Sequence, residues 1–221
     1  MLCSPFLGGG SVEIGAAQRG ITIYGYDNFE PLVNFWNELL QHQKRLYHNV
    51  CKLYPLSKSQ FQYLQKHYHS LSKEKQAAAF YALNRTSFSG LTFQGGMSLK
   101  HPRFTKKHIN KLQSFTLPNF IVKCLDFRAA IALHPNDFLY LDPPYYTNQH
   151  LYGRATLAQL HFDHYALAAL LTKRKQWLLS YNDCTYIRRL YTGHRIIPLV
   201  WSYGMNKSKK SNEILIFARD N

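Results

Sequence analysis

Acidic residues are scarce in this sequence. Its 221 residues include 12 Asp and Glu against 27 Lys and Arg, a formal net charge of +15. A chain so short of negative charge is suited to a polyanion partner. Cysteine is scarce too. Cys3, Cys51, Cys124 and Cys184 stand singly without a Cys-x-x-Cys pair. That argues against a disulfide framework or zinc ribbon and suits reduced thiols in a cytoplasm. No apolar run approaches the roughly 20 residues of a membrane-spanning helix. No long basic amphipathic helix offers a membrane anchor, and MLCSPFLGGGS lacks the charged leader and long apolar segment of a secretory signal. Internal repeats and low-complexity tracts are also missing. What remains is 46% hydrophobic and 15% aromatic, which places the chain among globular proteins able to bury a core.

Along the chain, strand-like and helix-like stretches alternate, which predicts an α/β sheet. CSPF reads as a strand, LGGGS as a tight turn, and VEIGAAQRG as a helix stopped by Gly20. ITIYGYD follows as a strand. PLVNFWNELLQHQKRLYHNVCKLY has helical spacing with Pro31 near its first turn. SKSQFQYLQKHYHSLSKEKQAAAFYAL continues as helix, and residues 84–102 read as a hairpin or loop. TKKHINKLQSF is a short helix with Thr105 as its N-cap. NFIVKCLDF and NDFLYLDPPYY are strands separated by RAAIALH. HFDHYALAALLTKRK is a helix, QWLLSYND a strand, and TYIRRLYTG a helix. RIIPLVWSYG and SNEILIFARD, joined by a short basic loop, should pair antiparallel. Residues 38–118 interrupt the alternation. They form the expected second lobe beside a domain of 1–37 and 119–221.

Two motifs carry chemistry. Gly8 and Gly10 follow a strand and precede a helix, where missing side chains let a ligand approach the backbone. Asp27 ends the next strand, the position from which a carboxylate reaches the ribose hydroxyls of an adenosine-type cofactor. The second motif is Asp142-Pro143-Pro144-Tyr145 at the end of an apolar strand. Two prolines stop the strand and remove two backbone donors, leaving free carbonyl acceptors beside a carboxylate and an aromatic ring. Such a corner suits a flat substrate with an amino group.

With SPFLGGGSVE, YDNFEPLVNFWN, LNRTSFSGL, FLYLDPPYY, LSYND and NEILI in this order, the chain resembles the Dam-type adenine-specific DNA methyltransferases along essentially its whole length. The resemblance implies a Rossmann-like, mostly parallel methyltransferase sheet with an antiparallel C-terminal hairpin and a small helical DNA-recognition lobe. It implies S-adenosylmethionine as cofactor, no metal, and double-stranded DNA as partner. Phe6, Gly8 and Gly10 would shape the cofactor loop, Asp27 would hold the ribose, and Asp126 and Phe127 would border the adenine. Asp142, Pro143, Pro144 and Tyr145 would form the catalytic corner. There the Asp142 carboxylate and Pro143 carbonyl would accept the amine hydrogens, and Tyr145 would stack on a flipped base.

In NRTSFSGL, the resemblance assigns Asn84 and Arg85 to DNA contact and Phe88 to packing or insertion. Lys100, Arg103, Lys106 and Lys107 extend the positive track, and Lys207, Lys209 and Lys210 form a loop patch; singly, each lysine reads equally as a solvated charge. Alternatives are an RNA base methyltransferase and a catalytically silent DNA-binding subunit. Members of the family carry a Gly-Gly-Lys segment ahead of the glycine loop, which here follows Met1 almost at once. The expectation is weak cofactor binding by this chain alone, with an extension or second chain supplying the segment. His161 and His164 read as a solvated helix face, as do His67 and His69 as surface residues, and none as a metal site.

Overall fold

The structure, a computed structural model, describes residues 1–98, 102–146, 162–199 and 213–219. Its strands are β1 (Leu2–Ser4), β2 (Ile23–Asp27), β3 (Phe120–Cys124), β4 (Phe138–Leu141), β5 (Trp177–Asn182), β6 (Arg195–Leu199) and β7 (Glu213–Phe217). They form one sheet in the order β3-β2-β1-β4-β5-β7-β6. The first five strands in that order are parallel, and β7 pairs antiparallel with both β5 and β6. The expected Rossmann-like, mostly parallel sheet with an antiparallel C-terminal pair is therefore present. Strand order reverses between β1 and β4. In open α/β sheets a crevice opens at the carboxyl ends of the strands at such a point.

The helices are α1 (Ser11–Ala17), α2 (Glu30–Gln41), α3 (Gln43–Cys51), α4 (Lys58–His67), α5 (Lys73–Thr86), α6 (Lys106–Gln113), α7 (Phe127–Leu133), α8 (His164–Leu171) and α9 (Thr185–Leu190). Three helical readings of the sequence need correction. The stretch from Ser57 to Leu83, read as continuing helix, divides into α4 and α5 around a 3-10 turn at Tyr68–Ser70. The long helical pattern from Pro31 breaks at His42, whose φ of −137° leaves the helical region, giving α2 and α3. RAAIALH is not a plain connection but most of α7, capped by the Asp126 side chain, which accepts from the Arg128 N–H at 2.9 Å. The N-cap expected of Thr105 is formed, its hydroxyl accepting from the His108 N–H. Ser57 and Gln60 add a reciprocal capping box at α4.

Burial divides into two clusters. One joins Cys3, Leu139, Leu141, Leu179, Ile214 and Ile216 of the strands to α7, α8 and α9. The other joins Leu7, Ile23, Phe120 and Val122 to α2–α6. Trp36 of α2 ties the helical cluster to the sheet. Its ring stacks on Phe120 at 5.3 Å between centroids and 16° between planes. Its indole N–H donates to the Gly8 carbonyl at 3.0 Å. Trp36→Ala should destabilise the protein by about 3–5 kcal/mol through a large cavity. Trp36→Phe, which keeps most of the packing but not the hydrogen bond, should cost about 1 kcal/mol for that bond. Urea unfolding of the three proteins measures both, and equal stability would mean that the ring is not a tie.

Candidate active site

Above the carboxyl ends of β1 and β4 lies a cavity of about 790 Å³. Its floor is the turn from β1 to α1. Gly8 and Gly10 have φ of 48° and 65°, a backbone region open to glycine at little cost. A Cβ on Gly10 would also stand 2.8 Å from Trp36 Cζ2, so the loop and indole approach as closely as they do only because the side chain is missing. Asp27 at the end of β2 fastens the loop. One carboxylate oxygen accepts from the Gly8 N–H at 3.1 Å and the other from the Phe29 N–H at 2.9 Å. Burial raises the Asp27 carboxyl against the lowering effect of these bonds.

The far wall is the proline corner. β4 ends at Leu141, and Asp142 follows outside the ladder at the cavity mouth. Tyr145 turns back over it. Its hydroxyl lies 3.3 Å from the Ser180 hydroxyl of β5 and hydrogen-bonds the Asp142 carboxylate. Beyond the corner, the Asn182 amide of β5 donates to the Tyr146 carbonyl at 2.8 Å, and Tyr146 stacks on Tyr186 at 4.4 Å and 20°. Although Asp142 is exposed to solvent, crowding by the cavity walls and then the Glu213 carboxylate push its carboxyl up to about 6, against the Tyr145 hydrogen bond.

The cavity is acidic. Glu13, Asp27, Asp142 and Glu213 line it, four of the 12 acidic residues of the chain, while none of its described lining residues is basic. Glu13 is buried in the first turn of α1 and accepts from the Ser4 hydroxyl at 2.5 Å; burial raises its carboxyl too.

A smaller cavity of about 220 Å³ shares Phe6, Asp27, Asn28 and Pro144 with the first. Phe6, Phe127 and Phe162 meet there with centroids 5.2–5.5 Å apart. Asp126 stands at its edge, facing Arg128 at 3.5 Å. Phe6, Gly8, Gly10, Asp27, Asp126, Phe127 and the Asp142–Tyr145 corner are thus gathered into two adjoining cavities from four separate stretches of chain.

The residues expected at DNA lie elsewhere. Asn84 and Arg85 occupy the last turn of α5, not the expected hairpin or loop, because α5 continues through Thr86. The Asn84 amide donates to the Gly90 carbonyl at 3.1 Å, and Arg103 lies 3.4 Å from the carbonyls of Asn84 and Ser87. Arg85 lies over the Tyr81 ring, 5.4 Å from its centroid. Phe88 is 67% exposed. A third cavity, of about 550 Å³, runs from Asn84 and Arg85 to the other side of Gly8 and Gly9. Lys100, Lys207, Lys209, Lys210 and His161 lie outside the described residues. His164 is buried rather than solvated, and its Nδ1 hydrogen-bonds the Tyr181 hydroxyl, so the helix face it occupies points inward.

Sequence reasoning missed Glu13, Ser180, Glu213, Phe162 and Trp36. SPFLGGGSVE contains both Ser4 and Glu13, but nothing in its pattern says that they meet. Glu213 is visible only once β7 is known to run beside β5.

Residues 1–205 match the family model of the D12 class N6 adenine-specific DNA methyltransferases. Comparison with curated proteins returns no match.

The raised carboxyl of Asp142 fixes the sign of a stability effect. An unfolded chain ionises this group near its ordinary value of about 3.9, whereas the native protein does so only near 6. Stability therefore falls as pH rises between those values and stays lowered above them. Asp142→Asn should melt at a higher temperature than the parent at pH 8, with the gap narrowing towards pH 5. A gap that is constant or widens towards acid would contradict the assigned crowding.

Proposed function

Since the chain belongs to the D12 class of N6 adenine-specific DNA methyltransferases, we propose that it takes S-adenosylmethionine as donor in the acidic cavity and methylates adenine in duplex DNA at the Asp142 corner. The carrying observation is the charge of that cavity. In a protein of net charge +15, four carboxyls and no described basic residue surround it. Such a lining favours a ligand carrying a sulfonium and an ammonium group over a neutral or anionic one. S-adenosylmethionine supplies an electrophilic methyl group when bound.

The side chains present fit this ligand. Gly8–Gly10 permit close backbone approach, and Asp27, fixed by Gly8 and Phe29, retains acceptor capacity for ribose hydroxyls. Phe6, Phe127 and Phe162 give the second cavity aromatic walls for a purine, with Asp126 and Asn28 as polar groups at its edge. At the corner, Asp142 and the Pro143 carbonyl each accept a hydrogen of the target amine. They thereby localise a lone pair otherwise delocalised into the ring and aim it at the methyl carbon. Tyr145, held through its hydroxyl by Ser180, offers its ring to a base taken out of the duplex. No step calls for a metal.

The helical region 38–118 serves DNA recognition in this reading. Arg85, Phe88 and the basic start of α6 at Lys106 and Lys107 make up its described contact surface, and Lys207, Lys209 and Lys210 add charge by sequence.

Two outcomes test the proposal. Asp142→Ala should bind cofactor and DNA yet transfer labelled methyl groups about 10²-fold or more slowly in single turnover; wild-type turnover would refute the corner. DNA affinity should fall steeply with salt, and neutralising Lys106 and Lys107 should flatten the log–log slope by about 0.9 per lost phosphate contact. A salt-independent affinity would count against the duplex as substrate.

A further inference from the structure

Glu213 opens β7, opposite Asn182 of β5, with Leu215 opposite Ser180. Because β4 pairs Leu141 with Leu179 of β5, Asp142 leaves the sheet level with Ser180. Side chains alternate along a strand, so Ser180, Leu215 and Glu213 share one sheet face. All three line the cavity that holds Asp142. A second carboxylate therefore stands on the outer rung of the same face, across β5 from the proline corner.

The other two carboxyls of the cavity already hold groups of the chain. Glu13 of α1 is bonded to Ser4, and both oxygens of Asp27 in β2 hold backbone N–H groups. Glu213 has no such bond among the described residues. Among the described residues, the remaining groups facing Asp142 are the phenols of Tyr140 and Tyr145 and the Ser180 hydroxyl, while β6 contributes Leu199.

Resting on the reading above, the reaction makes a demand that this arrangement answers. As the amine lone pair forms the bond to the methyl carbon, the carbon–sulfur pair returns to sulfur, leaving a thioether. The nitrogen is then cationic and must release one proton. The acceptor nearest the amine is the carboxylate to which it was hydrogen-bonded. An ordinary aspartate is a weak base for this task, and a neighbouring negative charge strengthens it. We propose that Glu213 is a positioning residue of the catalytic corner, a second carboxylate that acts through Asp142 and fits it to take the proton released by the methylated amine. The Asp142 carboxylate becomes a carboxylic acid in that step and returns its proton to water when the product leaves. Crowding and Glu213 both raise the Asp142 carboxyl, crowding the more, so losing Glu213 should lower it only part of the way.

Carbon-13 NMR titration of the Asp142 carboxyl in ligand-free wild type, Glu213→Gln and Glu213→Asp tests this. The pH dependence of kcat/KM for DNA methylation is measured on the same proteins. Wild type should titrate near pH 6 and lose about tenfold in rate for each pH unit below that point. Glu213→Gln should move both the titration and the acidic limb to lower pH, retain a larger share of its plateau at pH 5, and show a lower plateau. Glu213→Asp should restore most of the wild-type profile. An Asp142 titration unchanged in a folded Glu213→Gln protein would overturn the inference. A titration that follows Glu213 in a wild type that methylates no DNA would support the coupling and overturn the donor and substrate reading instead.

Discussion

The glycine loop is held from both sides by groups that also build the cavity. Asp27 takes the Gly8 N–H, and Trp36 donates to the Gly8 carbonyl. One carboxylate thereby ties β2 to the loop, and one indole ties α2 and the helical cluster to it. A Cβ at Gly10 would enter the space of that indole, so the loop conformation and the docking of α2 are one constraint.

A segregation of charge follows from where those elements end. Strand termini at the switch point carry Asp27 and Asp142, and α1 and β7 add Glu13 and Glu213. Among the described residues, no Lys or Arg lines this cavity. A basic exterior draws a polyanion, and an acidic cavity within it favours a cationic small molecule. In the proposed function these two preferences serve the two substrates of a DNA methyltransferase.

The motifs legible in the sequence are those with local causes. Positive-φ glycines, paired prolines and a strand-ending aspartate act through their own backbone, and the structure places Gly8, Gly10, Asp27 and Asp142 around one cavity. What escaped depends on contacts across the chain. The break at His42 interrupts a pattern that is helical on both sides. The helix α7 is too short for a clear period. His164 is bonded inside to Tyr181 of β5, Glu13 meets Ser4 through the placing of α1 beside β1, and the position of Glu213 follows from strand register. The bond of the Asn84 amide to the following loop shows only in the course of residues 84–92.

The most direct measurement of the account is the identity of the methylated nucleoside. Duplex DNA incubated with the protein and S-adenosylmethionine deuterated in its methyl group can be digested and analysed by mass spectrometry. The expected product is N6-methyldeoxyadenosine carrying the deuterated methyl, formed by wild type and lost with Asp142→Ala. The label on the cytosine amino group, on RNA alone, or on no nucleoside at all would contradict it.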